Sequence, residues 1–185
     1  MILGITGRSG VGKSTAIQYL GDWDFHHIDL DQLGHQAQQD QTIKDQLVNR
    51  FGTGIVMDHQ INRAALGEIV FADSQALLDL NQIVHPWMKG QVRIQLDKYA
   101  QKELIVIQGA LIDEIGLRPF CDELLLIEAD PLRILESSGE RAIRIGKSQR
   151  SIESYTAQAT HIIHNDFTDR FAVAVTDYVR SIMRS

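Results

Sequence analysis

The sequence predicts an α/β fold, a parallel sheet of five strands covered by helices on both faces. Five short runs rich in Ile, Leu and Val, at residues 2–6, 25–28, 104–107, 124–127 and 161–163, each have the length of a strand. Longer stretches with helical spacing lie between them, and strands that alternate with helices argue for a parallel sheet buried on both sides.

The helical stretches follow in order. Residues 15–20 read as a helix directly behind the first strand, and residues 32–48 as another behind Asp31. Residues 87–99 put Met88, Val92, Leu96 and Tyr99 on one stripe, and residues 169–183 do the same with Phe171, Val175, Tyr178 and Ile182. A further helix is expected after Pro131. The interval 32–102 contains no strand-like run of comparable quality, so it reads as a mostly helical insertion and a natural place for substrate selectivity. The expected organisation is one domain over 1–185, with a core of about 1–31 and 103–185 and the insertion at about 32–102.

Composition limits the function classes. A chain of 185 residues with 44% hydrophobic and 23% charged residues and three prolines is an ordinary globular domain. Its 18 Lys and Arg against 24 Asp and Glu give a net charge of −6, which argues against a nucleic-acid or anionic-membrane partner. No apolar run exceeds five residues, far below the roughly 20 that a bilayer span needs. The first residues lack the basic start and apolar stretch of a signal peptide, and the single cysteine, Cys121, fits a reducing compartment. The expectation is a cytoplasmic protein.

Gly7-Arg8-Ser9-Gly10-Val11-Gly12-Lys13-Ser14, immediately after the first strand, matches G-x-x-x-x-G-K-[ST] in the strand-loop-helix context the motif requires. The glycines let backbone N–H groups turn inward onto phosphate oxygens. Lys13 reaches the outer phosphates, the Ser14 hydroxyl ligates Mg²⁺, and the helix N-terminus adds partial positive charge. Gly10, Val11, Gly12, Lys13, Ser14 and Thr15 are therefore the candidate nucleotide-binding residues, with Ser14 the metal ligand. No N-K-x-D run for reading guanine is present, and Asp113-Glu114-Ile115-Gly116 reads as a solvated turn. A motor ATPase or helicase would show an apolar strand running into an acidic pair, whereas residues 104–107 lead into Gln108-Gly109. A small chain with a bare phosphate loop favours a small-molecule kinase. His161 and His164, three apart on a predicted strand, point to opposite faces, so no shared metal is expected.

Several further segments line up in order with one family. Ile28-Asp29-Leu30-Asp31 is similar to a D-A-D element. Phe51-Gly52, Ile61-Asn62-Arg63-Ala64-Ala65-Leu66 and Val70-Phe71 follow. Leu80-Asn81-Gln82-Ile83-Val84-His85-Pro86 looks like L-N-x-x-x-H-P, and Cys121-Asp122 and Ile162-Ile163-His164-Asn165 complete the series. Over nearly its full length the chain resembles the dephospho-coenzyme A kinases. The resemblance implies a P-loop kinase that uses ATP and Mg²⁺ to phosphorylate the ribose 3′-hydroxyl of dephospho-coenzyme A, the last step of coenzyme A synthesis. It also implies a short lid at about 137–151. Departures include Arg8 and Ser9 in the loop, His35 for an Arg, and Ala110-Leu111-Ile112-Asp113-Glu114 for P-L-L-x-E. In the lid, Ser137 replaces the first of two arginines and Arg141 is kept, ahead of Arg144.

Asp31 lies just past the second strand, at the carboxyl edge where ligands bind in open α/β sheets, and a carboxylate there suits the attacking hydroxyl's proton. The same residue also suits a helix N-cap. The resemblance prefers Asp31 to Asp29 as base. It gives Arg141 the transferring phosphoryl group, although Arg141 and Arg144 also suit a helix C-terminus, and it places His35, Arg63 and His85 beside the substrate. Two other classes stay open on the sequence alone. Ser137 and the short lid motivate a weakly catalytic nucleotide- or coenzyme-A-binding regulator, and the bare core is compatible with a kinase for another nucleoside or small alcohol.

Overall fold

The computed structural model describes residues 1–149 and 151–184, and the side chains of all of these except Arg141, Arg144, Lys147 and Ser148. In chain order its elements are β1 (Ile2–Thr6), α1 (Lys13–Gln18), β2 (Phe25–Asp29), α2 (Leu30–Ala37), α3 (Gln41–Phe51), β3 (Val56–Met57), β4 (Gln60–Ile61), α4 (Arg63–Ala72), α5 (Ser74–Lys98), β5 (Leu104–Gln108), β6 (Glu123–Ala129), α6 (Pro131–Ser148), α7 (Ile152–Thr156), β7 (His161–Asn165) and α8 (Asp169–Met183). They divide into two compact units, residues 1–30 with 96–185, and residues 31–95.

The first unit is built on a five-stranded sheet in the order β2-β5-β1-β6-β7. Every neighbouring pair is parallel, with Ile5 opposite both Gln108 and Leu125 across the centre. The chain leaves β1 towards the β2 edge but leaves β5 towards β6 on the other side, so the carboxyl ends of these two neighbours form a switch point where a ligand crevice is expected. β5 is buried at all five positions and the middle of β6 likewise, which is why these runs read as continuous rather than alternating. One core joins Leu3, Ile5, Val106, Leu125 and Ile127 of the sheet to Ala16 of α1 and to Phe171, Val175, Val179 and Ile182 of α8. Burying a side chain of this size contributes about 1.5–3 kcal/mol. Those four α8 residues form a single stripe, and the Thr168 side chain caps the helix by accepting from the Arg170 N–H.

Asp130 caps α6 by accepting from the Leu132 N–H at 2.8 Å, and Pro131 occupies the first helical position. The helix is interrupted at Gly139, whose φ of 74° no ordinary helical residue adopts, so it is two short helices joined at an angle.

The second unit is helical apart from the antiparallel β3–β4 pair, which the sequence did not announce because each strand has two residues. Its sequence boundaries need correction. The helix expected over 32–48 is two helices, because Asp40 leaves the helical conformation and caps α3 by accepting from the Ile43 N–H at 3.1 Å. The helix expected to begin at 87 begins at Ser74 and runs through Pro86. A proline inside a helix lacks a donor and is normally a break. Here Ala76, Val84, Met88 and Val92 form one buried face on both sides of it, and packing overrides the local preference. Among the described residues no helix is long and apolar enough to cross a membrane.

Candidate active site

The loop from Gly7 to Ser14 joins β1 to α1 at the switch point. Gly12 has φ 99°, and a Cβ there would lie 2.3 Å from the Asn165 Nδ2, so only glycine fits. Gly10 has φ 83°, and its Cβ would lie 2.7 Å from Ile134 and 2.9 Å from Ala142 of α6. The two halves of α6 thus pack against the loop where it lacks side chains.

Asn165, at the end of β7 and only 4% exposed, fixes the loop from beneath. Its Nδ2 donates to the Val11 carbonyl at 2.9 Å and its Oδ1 accepts from the Phe167 N–H at 2.7 Å. Lys13 arches back over the loop, with Nζ donating to the carbonyls of Gly7 and Arg8 at 2.8 and 2.9 Å. Gly12 precedes α1 without a side-chain cap. The first-turn N–H groups of α1 therefore have no capping side chain and suit phosphate oxygens. The Ser9 N–H donates to Gln149 Oε1, just past α6, at 2.9 Å.

Ser14 is exposed at the start of α1. Its Oγ accepts from Gln108 Nε2 at 3.2 Å. Gln108 ends β5, is 3% exposed, and pairs in register with Asp29, so both side chains leave the same face of the sheet. His27, two residues before Asp29, shares that face. Burial lowers its pKa, with the Asp29 carboxylate and the Gln108 side chain opposing. Among the described residues, Gln108 Oε1 and His27 Nε2 are buried without a hydrogen-bond partner.

Mg²⁺ takes oxygen ligands, usually one or two from protein with phosphates and water completing the shell. Among the described residues no group of three or more His, Cys, Asp or Glu side chains forms a metal cage. The Ser14 hydroxyl beside the loop, with an unpartnered carboxamide oxygen on its neighbour Gln108, suits an ion carried in with phosphates. Cys121 takes no part, because burial pushes its thiol up to about 11 and keeps it protonated.

In the second unit, His35, Gln38, Gln39, Lys44, Gln60 and Arg63 line a pocket of about 360 Å³. The Arg63 guanidinium donates to His35 Nε2, and Lys44 Nζ donates to the His59 carbonyl at 2.7 Å. Two predicted substrate residues are thus brought together, with a lysine that the motifs did not mark. His85 is half-buried on α5 and does not line this pocket. Asp31 is exposed in the first turn of α2, which starts at Leu30, so the structure gives it no N-cap role. The backbone of Arg141 and Arg144 belongs to the second half of α6, while their side chains lie outside the described residues. The Ser137 hydroxyl donates to the Ile134 carbonyl of its own helix at 3.4 Å.

Comparison with known proteins decides the family. A dephospho-CoA kinase family model matches residues 1–169. The chain belongs to the dephospho-CoA kinase family. It is 32% identical to the dephospho-CoA kinase of Fusobacterium nucleatum over 174 residues, covering 90% of both chains. It is 32% identical to that of Lactobacillus johnsonii over 177 residues, covering 90% of this chain and 89% of the relative. The solved dephospho-CoA kinase of Campylobacter jejuni shares the fold at a TM-score of 0.72 and 23% identity, over 99% of this chain and 97% of that one. ATP- and Mg²⁺-dependent phosphorylation of dephospho-CoA is the activity that goes with membership of the dephospho-CoA kinase family.

Proposed function

We propose that this chain transfers the γ-phosphoryl group of ATP to the ribose 3′-hydroxyl of dephospho-coenzyme A, with Lys13, Asp31 and Arg141 acting on the reacting groups. The observation that carries the reading is the loop itself. Its glycines have positive φ, Asn165 clamps it from below, Lys13 lies across it, and it stands at the switch point of a sheet in a chain of this family.

The backbone N–H groups of Gly10, Val11, Gly12 and Lys13, with those of Ser14 and Thr15 at the start of α1, hold phosphate oxygens. Lys13 exchanges the Gly7 and Arg8 carbonyls for phosphate oxygens and offsets their charge. Ser14 is the protein's ligand to Mg²⁺, which when bound neutralises charge on the phosphates. Asp31 accepts the proton of the ribose hydroxyl as that oxygen attacks, a role supported by its place two residues beyond β2. Arg141 sits in the part of α6 that packs on Gly10, a position that suits charge stabilisation over the loop. Arg63, His35 and Lys44 receive the anionic part of dephospho-coenzyme A in their pocket, and His85 contributes from α5. The net charge of −6 supports a small anionic substrate held by local cations, with no nucleic-acid or membrane partner, and the single cysteine, Cys121, supports a reducing compartment such as the cytoplasm.

The test is ADP release by purified protein with ATP, Mg²⁺ and either dephospho-coenzyme A or a panel of nucleosides and small alcohols. Turnover confined to dephospho-coenzyme A supports the assignment. Preference for another acceptor, or no turnover, overturns it.

A further inference from the structure

The side chains that meet beside Ser14 leave two hydrogen-bonding atoms unused in a place where such atoms are normally paired. Gln108 spends Nε2 on the Ser14 Oγ, while its own Oε1 and the His27 Nε2 are buried without partners among the described residues. His27 and Gln108 nonetheless stand on the same face of the sheet on the neighbouring strands β2 and β5, where His27 pairs with Val106 and Gln108 with Asp29. For Ser14 to ligate Mg²⁺, its oxygen must offer a lone pair to the ion and send its proton elsewhere. A carboxamide N–H pointed at that oxygen takes a lone pair and gives the proton no acceptor.

A carboxamide has two nearly isosteric ends. Turning it over about the Cγ–Cδ bond puts Oε1 where the Ser14 hydroxyl can donate to it and Nε2 towards the ring of His27. All the stranded atoms are then used, provided that His27 is neutral with its proton on Nδ1. We propose that Gln108 and His27 are positioning residues for Mg²⁺: with the ion bound, Ser14 donates its proton to Gln108 Oε1, and Gln108 Nε2 donates to the unprotonated Nε2 of His27. The supporting observations are the near-complete burial of Gln108, the shared face of the sheet and the two unpartnered atoms. The burial that disfavours an imidazolium at His27 agrees with a neutral ring. The role is that of an outer-shell partner, fixing a ligand without touching the ion.

This inference rests on Ser14 being the Mg²⁺ ligand, so the experiment separates the two ideas. Methylanthraniloyl-ADP binding is titrated with Mg²⁺ and, in parallel, measured in excess chelator. Ser14→Ala should lose most of the Mg²⁺-dependent gain in affinity. If it does not, the ligand assignment itself fails. Gln108→Leu should weaken apparent Mg²⁺ affinity about tenfold and leave binding in chelator unchanged, as for loss of an outer-shell partner. Gln108→Glu decides the polarity. A carboxylate accepts but does not donate, so it should match or exceed the wild type if acceptance from Ser14 matters, and fail like Gln108→Leu if donation to Ser14 matters. His27→Phe should weaken Mg²⁺ affinity about threefold, because the carboxamide loses what holds it turned. In ¹⁵N NMR of the wild type, adding Mg²⁺ with nucleotide should leave His27 Nε2 at the shift of an unprotonated nitrogen. A protonated Nε2 in the Mg²⁺ complex, or a Gln108→Leu protein folded by circular dichroism with wild-type Mg²⁺ affinity, overturns the proposal.

Discussion

Gln149 Oε1 accepts a hydrogen bond from the Ser9 N–H at 2.9 Å, tying the residue just past α6 to the phosphate-binding loop. A backbone donor in such a loop is a position that a phosphate oxygen competes for. Gln149→Ala removes the internal competitor, which is worth about 1 kcal/mol for a neutral hydrogen bond. The Kd for nucleotide should fall roughly fivefold, with thermal stability nearly unchanged. Equal nucleotide affinity in the variant would mean that Ser9 does not face the phosphates. Isothermal titration decides.

Lys13→Ala should lower kcat by about 10²-fold or more, the usual loss for one electrostatic donor aimed at developing charge. The fold should survive, since the ammonium bonds the carbonyls of Gly7 and Arg8 in the loop. Steady-state kinetics with circular dichroism check both halves. Retention of more than about a tenth of wild-type kcat contradicts the role, since one such donor supplies at least that much.

Asp31→Asn keeps the shape and removes the basicity. With Asp31 as the base, kcat should fall about 10²-fold or more while the KM for dephospho-coenzyme A moves little. Asp29→Asn is the comparison, because Asp29 shares the sheet face of Gln108 and Asp31 does not belong to the strand. The reverse result would move the base to Asp29.

Arg63→Ala should raise the KM for dephospho-coenzyme A about tenfold and leave kcat within a factor of about two, as expected when a charged hydrogen bond acts on binding alone. Lys44→Ala should act in the same direction but less, because Lys44 also bonds the His59 carbonyl. A change in kcat with KM unmoved would place Arg63 at the reacting groups instead.

The sequence made the sheet legible because β1, β5 and β6 carry short continuous apolar runs, and a parallel strand covered on both faces needs them. The loop was legible because its chemistry fixes both residue type and spacing. The boundaries inside residues 31–95 were not. Pro86 reads locally as a break, and only the buried face of α5 on either side of it keeps the helix continuous. Helix α2 stops at Ala37 and Asp40 caps α3, an ordinary acidic residue that carries no distinguishing pattern. Asn165, Gln149 and Gln108 escaped for a related reason. Each acts on the loop across more than 90 residues of chain, at |i−j| of 154, 140 and 94. Among these three, only the Asn165 segment carried a signal, the end of the last strand, and even there the motif did not say what the side chain holds. Lys44 is one of many surface cations until folding brings it beside His35 and Arg63.

The identity of the phosphoryl acceptor is read by ³¹P NMR of the product made from ATP, Mg²⁺ and dephospho-coenzyme A. A phosphomonoester resonance coupled to the ribose 3′-proton, growing in step with ADP, is the expected result for transfer to dephospho-coenzyme A. ADP formed without that resonance, or phosphate attached at another hydroxyl, contradicts it.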